Sequence, residues 1–323
     1  MAKLQANPTI MRILVAFFQL IRWPNLIFIL LTQCLFYGIV FNATRSAELV
    51  TIIQLPFILL LLASVSIAAA GYVINDYFDL RIDLINKPDK IVVDKVIKRR
   101  WAIVWHLVLS AIGVLLSCCV AYLVGSWLIL LGNLICVMLL WFYSTSFKKK
   151  LLSGNVIIAM LTAWVIIVVY FFTGSTLGGW RTNNVVFNEP LFFKLTCLYA
   201  GFAFIVSLIR EVVKDMQDVT GDEKEHCNTM PIAWGFPASK VFVAVWVTVC
   251  IGMMAAITLY AWQFGWWYIV VYTIVLLLMP LAYFLKLLKT AMLPQDFKRL
   301  SAIIKGVMLS GIISMVFFLL LYK

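Results

Sequence analysis

The sequence predicts an all-helical protein that crosses a membrane several times. Hydrophobic residues make up 64% of its 323 positions and charged residues only 12%, which lies far outside the range of soluble domains. Apolar runs of about 20 residues, the length of a membrane-spanning helix, recur along the whole chain. The few acidic residues gather at the ends of two of these runs. We therefore expect a polytopic membrane protein with a charged site at one membrane face.

Nine apolar runs are long enough to span a membrane. They cover residues 13–41, 51–74, 101–124, 126–143, 155–173, 191–213, 239–261, 266–288 and 303–322. The first is long and contains the polar stretch 22–25, so we expect it to break there and to begin as an interfacial helix. Because this run continues too far and lacks a small-residue cleavage site, we expect no cleavable signal peptide. The whole of 1–323 is expected to form one transmembrane domain.

The basic residues predict the orientation of the chain. With the N-terminus in the cytoplasm, all but four of the 26 Lys and Arg residues fall on the cytoplasmic side. The exceptions are Arg45, Arg181, Lys194 and Lys323. This is the positive-inside pattern, and it places both acidic clusters at the cytoplasmic face. The net charge of +12 therefore indicates topology and anionic ligands, and we expect no nucleic-acid partner.

Cysteine and histidine spacing argues against two other kinds of site. No two of the seven cysteines form a C-x-x-C pair, and all but Cys227 fall in apolar runs. A zinc site needs closely grouped Cys and His ligands, so the cysteines are interpreted as small buried hydrophobic residues. The sequence also places no Ser/His/Asp or Cys/His set near a polar site, which argues against a covalent hydrolase.

Half of the 14 acidic residues stand in two clusters. The first is Asp76, Asp79 and Asp83, with Asn75 beside them, and the second is Glu211, Asp215, Asp218 and Asp222. On a helix, Asn75, Asp79 and Asp83 share an arc of about 80°, and the second cluster an arc of about 60°. Gly221 is expected to make the end of that second helix fray. Like charges at such spacing repel each other by about 0.2–0.5 kcal/mol per pair.

Both clusters are therefore expected to hold cations. Oxygen ligands on two facing helices favour Mg²⁺, which keeps several waters and bridges to substrate phosphates. The metal candidates are Asn75, Asp79, Asp83, Asp215, Asp218 and Asp222. Acidic residues near helix ends also occur in solvated loops, but two such clusters on one side favour the metal interpretation.

Basic and amide residues flank the clusters and are candidates to bind a diphosphate or a second phosphate. They are Arg22, Asn25, Lys87, Lys90, Lys148, Lys150, Asn155, Arg210 and Lys214. Each basic residue alone is also explained as a positive-inside anchor. As a set around two metal sites, they provide the charge balance that a diphosphate–Mg²⁺ complex requires.

These motifs together resemble the UbiA-type intramembrane prenyltransferase superfamily. Asn75-x3-Asp79-x3-Asp83, followed by Asn86-Lys87-Pro88, is similar to the first motif of that family. Asp215-x2-Asp218-x3-Asp222 is similar to its second. The resemblance extends to Tyr143-Ser144 with Lys148 and Asn155, and to the stretch from Thr229-Met230-Pro231 to Gly235, so it covers nearly the whole chain.

The resemblance implies a nine-helix bundle around a central cavity that is capped by cytoplasmic loops and opens to lipid. Members of the family transfer a prenyl group from a polyprenyl diphosphate to a lipophilic acceptor. Two Mg²⁺ ions are implied, bridging the diphosphate and assisting its departure. An allylic cation would then be sheltered by apolar walls and aromatic faces. Candidates for that lining are Trp23, Phe78, Tyr143 and Trp164, although core or lipid-facing roles are the simpler interpretation of each.

The second motif resembles that of the digeranylgeranylglyceryl phosphate synthase branch, whose members alkylate a glycerol hydroxyl to form an ether lipid. This implies a geranylgeranyl donor and geranylgeranylglyceryl phosphate as acceptor. The alternative is an aromatic prenyltransferase of quinone biosynthesis, acting on 4-hydroxybenzoate or 1,4-dihydroxy-2-naphthoate. The chain departs from the family pattern at Lys87, Lys90, Asp94, His226 and Asn228, where Arg, Arg, a small residue, Gly and Lys are usual.

A membrane transporter is the alternative from another functional class, because intramembrane acids also mark ion pathways. Transporter acids usually lie near the bilayer midplane on broken helices. The acids of this chain are predicted at one membrane face beside basic loops, which favours the prenyltransferase interpretation.

Overall fold

The computed structural model describes residues 8–44, 54–176 and 188–321, and the described chain is helical apart from short connections. Its α-helices are α1 Pro8–Leu20, α2 Trp23–Leu35, α3 Leu55–Phe78, α4 Leu80–Asn86, α5 Arg99–Val124, α6 Trp127–Thr145, α7 Ser153–Thr176, α8 Glu189–Lys224, α9 Met230–Ala233, α10 Gly235–Gln263, α11 Trp267–Thr273, α12 Met279–Thr290, α13 Pro294–Ile313 and α14 Phe318–Leu321. Short π-helical segments at Phe36–Phe41 and Ile274–Leu278 continue α2 and α11. The predicted all-helical fold class is confirmed.

Nine helical stretches among the described residues are long and apolar enough to cross a membrane, as predicted. They are Trp23–Phe41, Leu55–Phe78, Arg99–Val124, Trp127–Thr145, Ser153–Ser175, Glu189–Lys224, Gly235–Gln263, Trp267–Thr290 and Pro294–Leu320. Several extend beyond the apolar runs of the sequence, because a helix continues into polar residues as long as its backbone hydrogen bonds are made. The clearest case is α8, which carries the whole second cluster.

The first apolar run breaks where the polar stretch predicted it. Helix α1 ends at Leu20 and α2 begins at Trp23. Between them Arg22 has a φ of 50°, a left-handed conformation that few residues with side chains adopt. Pro24 lies in the first turn of α2, where its missing N–H costs no helical hydrogen bond. Placement of α1 in the membrane interface stays a prediction.

The chain divides into two compact units, Met1–Leu30 with Gln54–Ser146 and Leu31–Ile53 with Phe147–Lys323. In the first unit, α3 packs against α5 and α6. Close approach depends on glycine, since a Cβ on Gly71 would lie 2.7 Å from Leu140 and a Cβ on Gly113 2.5 Å from Ile67. The first acidic cluster belongs to this unit. One domain over residues 1–323 stays a prediction.

The second unit is built around α8, which packs against α7, α10 and α13. The apolar face of α8 is buried among residues of α10, α12 and α13. At the end of α8 remote from the acidic residues, Phe36 and Phe41 each lie 5.4 Å from Phe192 between ring centres. The aromatic contacts and the acidic residues of α8 therefore lie at opposite ends of the helix.

Candidate active site

The first cluster lies where α3 ends. Asp79 separates α3 from α4, yet the backbone keeps the helical pattern: the N–H of Asp79 donates to Asn75 C=O, that of Asp83 to Asp79, and that of Lys87 to Asp83, each at 2.8 Å. Residues linked in this way emerge on the same side of a helix. The predicted helical register of Asn75, Asp79 and Asp83 is confirmed, and Lys87 extends it by one turn.

Asn75 and Asp79 form a hydrogen-bonded pair. The Asn75 Nδ2 donates to Asp79 Oδ2 at 2.5 Å, and Asp79 is only 5% exposed. The remaining amide oxygen, Asn75 Oδ1, is buried and accepts no hydrogen bond. An unsatisfied buried acceptor costs roughly 1–3 kcal/mol, a cost that a bound cation would remove.

Arg22 forms an ion pair with Asp76, an acid of the first cluster that is not among the metal candidates. Its Nη2 lies 2.6 Å from Asp76 Oδ1, with the two side chains 35% and 20% exposed, and its guanidinium lies 5.4 Å from the centre of the Tyr72 ring. Burial disfavours the charge on Arg22, but the attraction of Asp76 outweighs it and raises the pKa of the guanidinium. The predicted contact of Arg22 with a substrate phosphate stays a prediction, since its partner in this structure is Asp76.

The connection after α4 carries two further basic candidates. Lys87 is half-buried directly after α4, and Lys90 ends the 3-10 turn Pro88–Lys90, its side chain lying outside the described part. Lys95 Nζ donates to the carbonyl of Pro88 at 2.6 Å, which closes the connection. Asp94 has a φ of 71°, a left-handed conformation that glycine adopts most easily and that aspartate tolerates better than most residues.

The four predicted cavity residues belong to different units. In the first unit, Trp23 and Phe78 are exposed and Tyr143 is half-buried. Phe78 meets the Trp141 ring edge-on, with ring centres 6.1 Å apart. In the second unit, Trp164 is half-buried and its ring centre lies 6.0 Å from that of Phe171. Their lining of a common cavity stays a prediction, as does the position of Asn25 beside a phosphate.

The second cluster lies entirely on α8. This helix runs through Thr220 and Gly221 to Lys224, so the expectation that it frays at Gly221 is wrong. Gly221 and Asp222 are both buried, and the carbonyl of Asp222 accepts the N–H of Cys227 at 2.9 Å. Tertiary packing thus outweighs the helix penalty of glycine, which is only about 1 kcal/mol. The four acids therefore lie on one arc, as the sequence predicted.

Asp215 is fixed by an amide from another helix. The Nδ2 of Asn155, near the start of α7, donates to Asp215 Oδ2 at 2.7 Å, and Asn155 is buried. The sequence grouped Asn155 with residues that bind a phosphate, but its observed partner is a predicted metal ligand. Both clusters thus contain an aspartate with one carboxylate oxygen fixed by an asparagine amide.

Glu211 neutralises basic neighbours on its own helix. Its carboxylate, 6% exposed, accepts from Arg210 Nη1 at 3.0 Å and from Lys214 Nζ at 2.8 and 3.0 Å. Sequence reasoning missed this role, although the i,i+3 spacing of Glu211 and Lys214 is a known ion-pair signal. The pairing of Arg22 with Asp76, in contrast, has no local signal because the residues are 54 positions apart.

The segment 226–229, which follows α8, makes backbone contacts next to the second cluster. His226 has a φ of 57°, the conformation that glycine adopts most easily, and Asn228 N–H donates to the carbonyl of Lys149 at 2.8 Å. Thr229 precedes α9 with its Oγ1 buried and without a hydrogen-bond partner. Lys148 is half-buried in the 3-10 turn Phe147–Lys149. Lys150 is exposed, and its Nζ lies 5.2 Å from the centre of the Phe147 ring.

The side chains of both clusters offer oxygen atoms as metal ligands. Within residues 8–44, 54–176 and 188–321, no three His, Cys, Asp or Glu side chains converge as a complete metal cage. Mg²⁺ does not require one, because it is usually bound through one or two carboxylates together with waters and substrate phosphates. The buried, unpaired Oδ1 of Asn75 and the carboxylates near it fit that preference.

Sequence comparison finds known proteins that are similar to part of this chain. Two relatives, each named digeranylgeranylglyceryl phosphate synthase, come from Methanobrevibacter smithii and Methanothermobacter thermautotrophicus. The first is 32% identical over 197 residues, covering 60% of this chain and 63% of the relative. The second is 36% identical over 190 residues, covering 57% of this chain and 59% of the relative. The match therefore spans less than two thirds of the length of these relatives.

A solved structure shares the helical fold across most of the chain. It is a UbiA homolog from Archaeoglobus fulgidus bound to DMAPP and Mg²⁺, with a TM-score of 0.57 and 15% sequence identity, covering 92% of this chain and 98% of that one. At this identity the likeness concerns the fold. The model of the UbiA prenyltransferase family matches residues 30–306, a range that contains both acidic clusters. This chain therefore belongs to the UbiA prenyltransferase family.

Proposed function

We propose that this protein transfers a prenyl group, geranylgeranyl by preference, from a polyprenyl diphosphate to geranylgeranylglyceryl phosphate in ether-lipid synthesis. One structural observation carries the proposal: each acidic cluster is an all-oxygen set in which an asparagine amide fixes an aspartate carboxylate, at 2.5 Å in the first and 2.7 Å in the second. Family membership supports the reaction class. The names of the two relatives support the acceptor.

The first cluster would hold Mg²⁺ through Asn75 Oδ1, Asp79 and Asp83, and the second through Asp215, Asp218 and Asp222. Two ions are proposed, and the Mg²⁺ and DMAPP of the Archaeoglobus fulgidus homolog support their use with a prenyl diphosphate. When bound, Mg²⁺ would neutralise the diphosphate and stabilise it as a leaving group. The amides of Asn75 and Asn155 would keep one carboxylate oxygen of Asp79 and one of Asp215 in place.

The reaction exchanges one carbon–oxygen bond for another. The bond between the prenyl C1 and the diphosphate oxygen breaks, and the diphosphate leaves with the electron pair. The glycerol hydroxyl oxygen forms the new bond to C1 and releases its proton to water. Trp23, Phe78, Tyr143 and Trp164 would shelter the developing allylic cation, because aromatic faces stabilise positive charge.

The acidic clusters are proposed to face the cytoplasm with the N-terminus on the same side. The charge pattern supports this orientation, since most basic residues fall in the terminal segment and alternate loops. In a cysteine-free background, single cysteines at positions 90 and 224 should react with an impermeant thiol reagent only from the cytoplasm. Cysteines at position 264, and at 181 outside the described residues, should react only from the other side. The reverse pattern would refute the orientation.

The activity is tested by incubating purified protein with geranylgeranyl diphosphate, Mg²⁺ and a panel of acceptors. We expect efficient transfer to geranylgeranylglyceryl phosphate and much slower transfer to its dephosphorylated form. Asp222→Ala should abolish transfer, whereas Glu223→Ala, at an exposed neighbouring position, is the matched control and should remain active. Efficient prenylation of 4-hydroxybenzoate or 1,4-dihydroxy-2-naphthoate, with none of the glycerophosphate, would contradict the acceptor but not the reaction class.

A further inference from the structure

Two basic residues of α8, Arg210 and Lys214, contact the same buried carboxylate. Arg210 and Lys214 share the single carboxylate of Glu211, which receives Arg210 Nη1 at 3.0 Å and Lys214 Nζ at 2.8 Å. The next acid along the helix, Asp215, is hydrogen-bonded to Asn155 and lies about 140° around the helix axis from Arg210. Arg210 and Asp215 therefore lie on different sides of α8.

Arg210 itself has an unused hydrogen-bond donor. Its side chain is only 17% exposed, and its Nε is buried without a hydrogen-bond partner. Leaving a buried donor unpaired costs roughly 1–3 kcal/mol, and more when the group is charged. The arrangement suits an anion that is absent from the protein chain.

The orientation of the guanidinium specifies the kind of anion. Glu211 binds Nη1, whereas Nε and Nη2 share the opposite edge of the planar group. Two parallel N–H donors on one edge match two oxygens of a phosphate group, and this bidentate contact is the reason that Arg is preferred for phosphate recognition. Glu211 thus fixes one end of Arg210 and directs the phosphate-binding edge away from itself.

Of the other candidates for a second anion, Lys148, Lys150 and Arg22, two differ clearly from Arg210. Arg22 is bound to Asp76 at 2.6 Å, and Lys150 is exposed beside the ring of Phe147. On α8, the metal candidates Asp218, Asp222 and Asp215 lie about 80°, 120° and 140° from Arg210 around the helix axis, so an anion on Arg210 lies off their arc. That separation favours a phosphate other than the diphosphate that the metal ions would bind.

We propose that Arg210, positioned by Glu211, binds the phosphate monoester of the acceptor through its Nε edge. This assignment rests on the proposed function, because that function supplies a phosphorylated acceptor beside a separate diphosphate. Arg210 is then the residue that distinguishes a phosphorylated acceptor from its alcohol. Glu211 is a positioning residue that acts through Arg210.

Steady-state kinetics with the two acceptors tests the assignment. For Arg210→Gln we expect the KM of geranylgeranylglyceryl phosphate to rise about 10- to 100-fold, as for the loss of charge-assisted hydrogen bonds. The kcat/KM for the dephosphorylated acceptor and the KM of the prenyl diphosphate should remain within about twofold, since neither involves the Nε edge. Arg210→Lys keeps the charge but loses the planar edge, so it should fall between the wild type and Arg210→Gln.

Two further variants separate positioning from folding. Glu211→Gln should raise the KM of the phosphorylated acceptor by a smaller factor, since Arg210 would keep its donors but lose its anchor. Arg299→Gln changes an exposed arginine that donates to Tyr283 Oη at 2.6 Å and should leave both acceptors unaffected. A rise in the KM of the prenyl diphosphate for Arg210→Gln or Arg210→Lys, or an equal loss with both acceptors, would overturn the assignment.

A binding measurement keeps this assignment distinguishable from the proposed function. If the wild type transfers no prenyl group to either acceptor, the proposed function fails, and calorimetric titration of the purified protein with glycerol 1-phosphate then tests Arg210 alone. Binding that weakens about tenfold or more in Arg210→Gln, but not in Arg299→Gln, would support the phosphate site. Equal binding by both variants, or no binding by the wild type, would refute it.

Discussion

The two acidic clusters fix their aspartates with the same chemical group but obtain it in different ways. In the first cluster, the amide of Asn75 reaches Asp79 from one turn earlier on the same helical path. In the second, the amide of Asn155 comes from α7 and reaches Asp215 on α8. The first arrangement depends on local helix geometry, and the second depends on how two helices pack. Damage to the α7–α8 packing should therefore affect the second cluster more than the first.

The arginines beside the two clusters also differ in the contacts that they make. In the first unit, Arg22 forms an ion pair with Asp76 at 2.6 Å. In the second unit, Arg210 and Lys214 both contact Glu211, and the Nε of Arg210 is buried without a hydrogen-bond partner. The arginine beside the first cluster therefore contacts an acid of that cluster, whereas the arginine beside the second has a donor that no group in the described chain accepts.

The largest expected effect tests whether both clusters bind metal. Asp79→Asn and Asp215→Asn should each lower kcat by about 10³-fold, because each removes a charged oxygen ligand from a site that stabilises the leaving group. Transfer of radiolabelled geranylgeranyl groups at saturating donor measures this loss. Asp89→Asn, at an exposed position near the first cluster, is the matched control. Wild-type activity in either cluster variant at limiting Mg²⁺ would remove that cluster from the metal site.

The next effect distinguishes a ligand from a positioning residue. Asn75→Ala removes an oxygen proposed to bind Mg²⁺, so its loss of activity should persist at high Mg²⁺. Asn155→Ala only frees Asp215, and loss of such supporting contacts costs about 10- to 100-fold in metal affinity or activity. Activity titrated against Mg²⁺ should show recovery for Asn155→Ala alone. Recovery of both variants, or of neither, would mean that the two amides have the same role.

A smaller effect tests the Arg22–Asp76 ion pair of the first unit. Arg22→Gln should lower the free energy of unfolding by about 1 kcal/mol or less, since partly exposed ion pairs contribute little. Asp76→Asn should do the same, and the double variant should lose no more than either single one. Thermal unfolding of the purified protein measures these changes. A loss of phosphate discrimination in Arg22→Gln would instead assign to Arg22 the role proposed for Arg210.

The smallest effect concerns the left-handed residues beyond each cluster. His226→Gly should stabilise the protein by up to about 1 kcal/mol, because glycine adopts a positive φ without a Cβ clash. Asp94→Gly should gain less, since aspartate tolerates this conformation better. The apparent Tm of each variant measures the difference. A lower Tm for His226→Gly would show that the His226 side chain makes a stabilising contact.

Local features of the sequence were sufficient for the fold class and for the register of each cluster. Runs of about 20 apolar residues predict membrane helices because, apart from closed β-barrels, only a helix makes all of its backbone hydrogen bonds internally in lipid. The i,i+4 spacing of Asn75, Asp79 and Asp83 predicts a shared face because helix geometry is fixed. The break near Arg22 and the position of the second cluster on one arc of α8 follow from equally local signals.

Only the tertiary structure decided which partner each polar side chain takes. Gly221 argues for a frayed helix end, yet packing keeps α8 helical to Lys224. Asn155 was grouped with phosphate ligands, but it donates to an aspartate 60 positions away, and no periodicity encodes a contact between separate helices. Glu211 was counted among the cluster acids, yet its carboxylate is engaged by Arg210 and Lys214. Hydrogen bonds and ion pairs are short-ranged and directional, so their partners are fixed by the three-dimensional approach of helices and not by the order of residues along them.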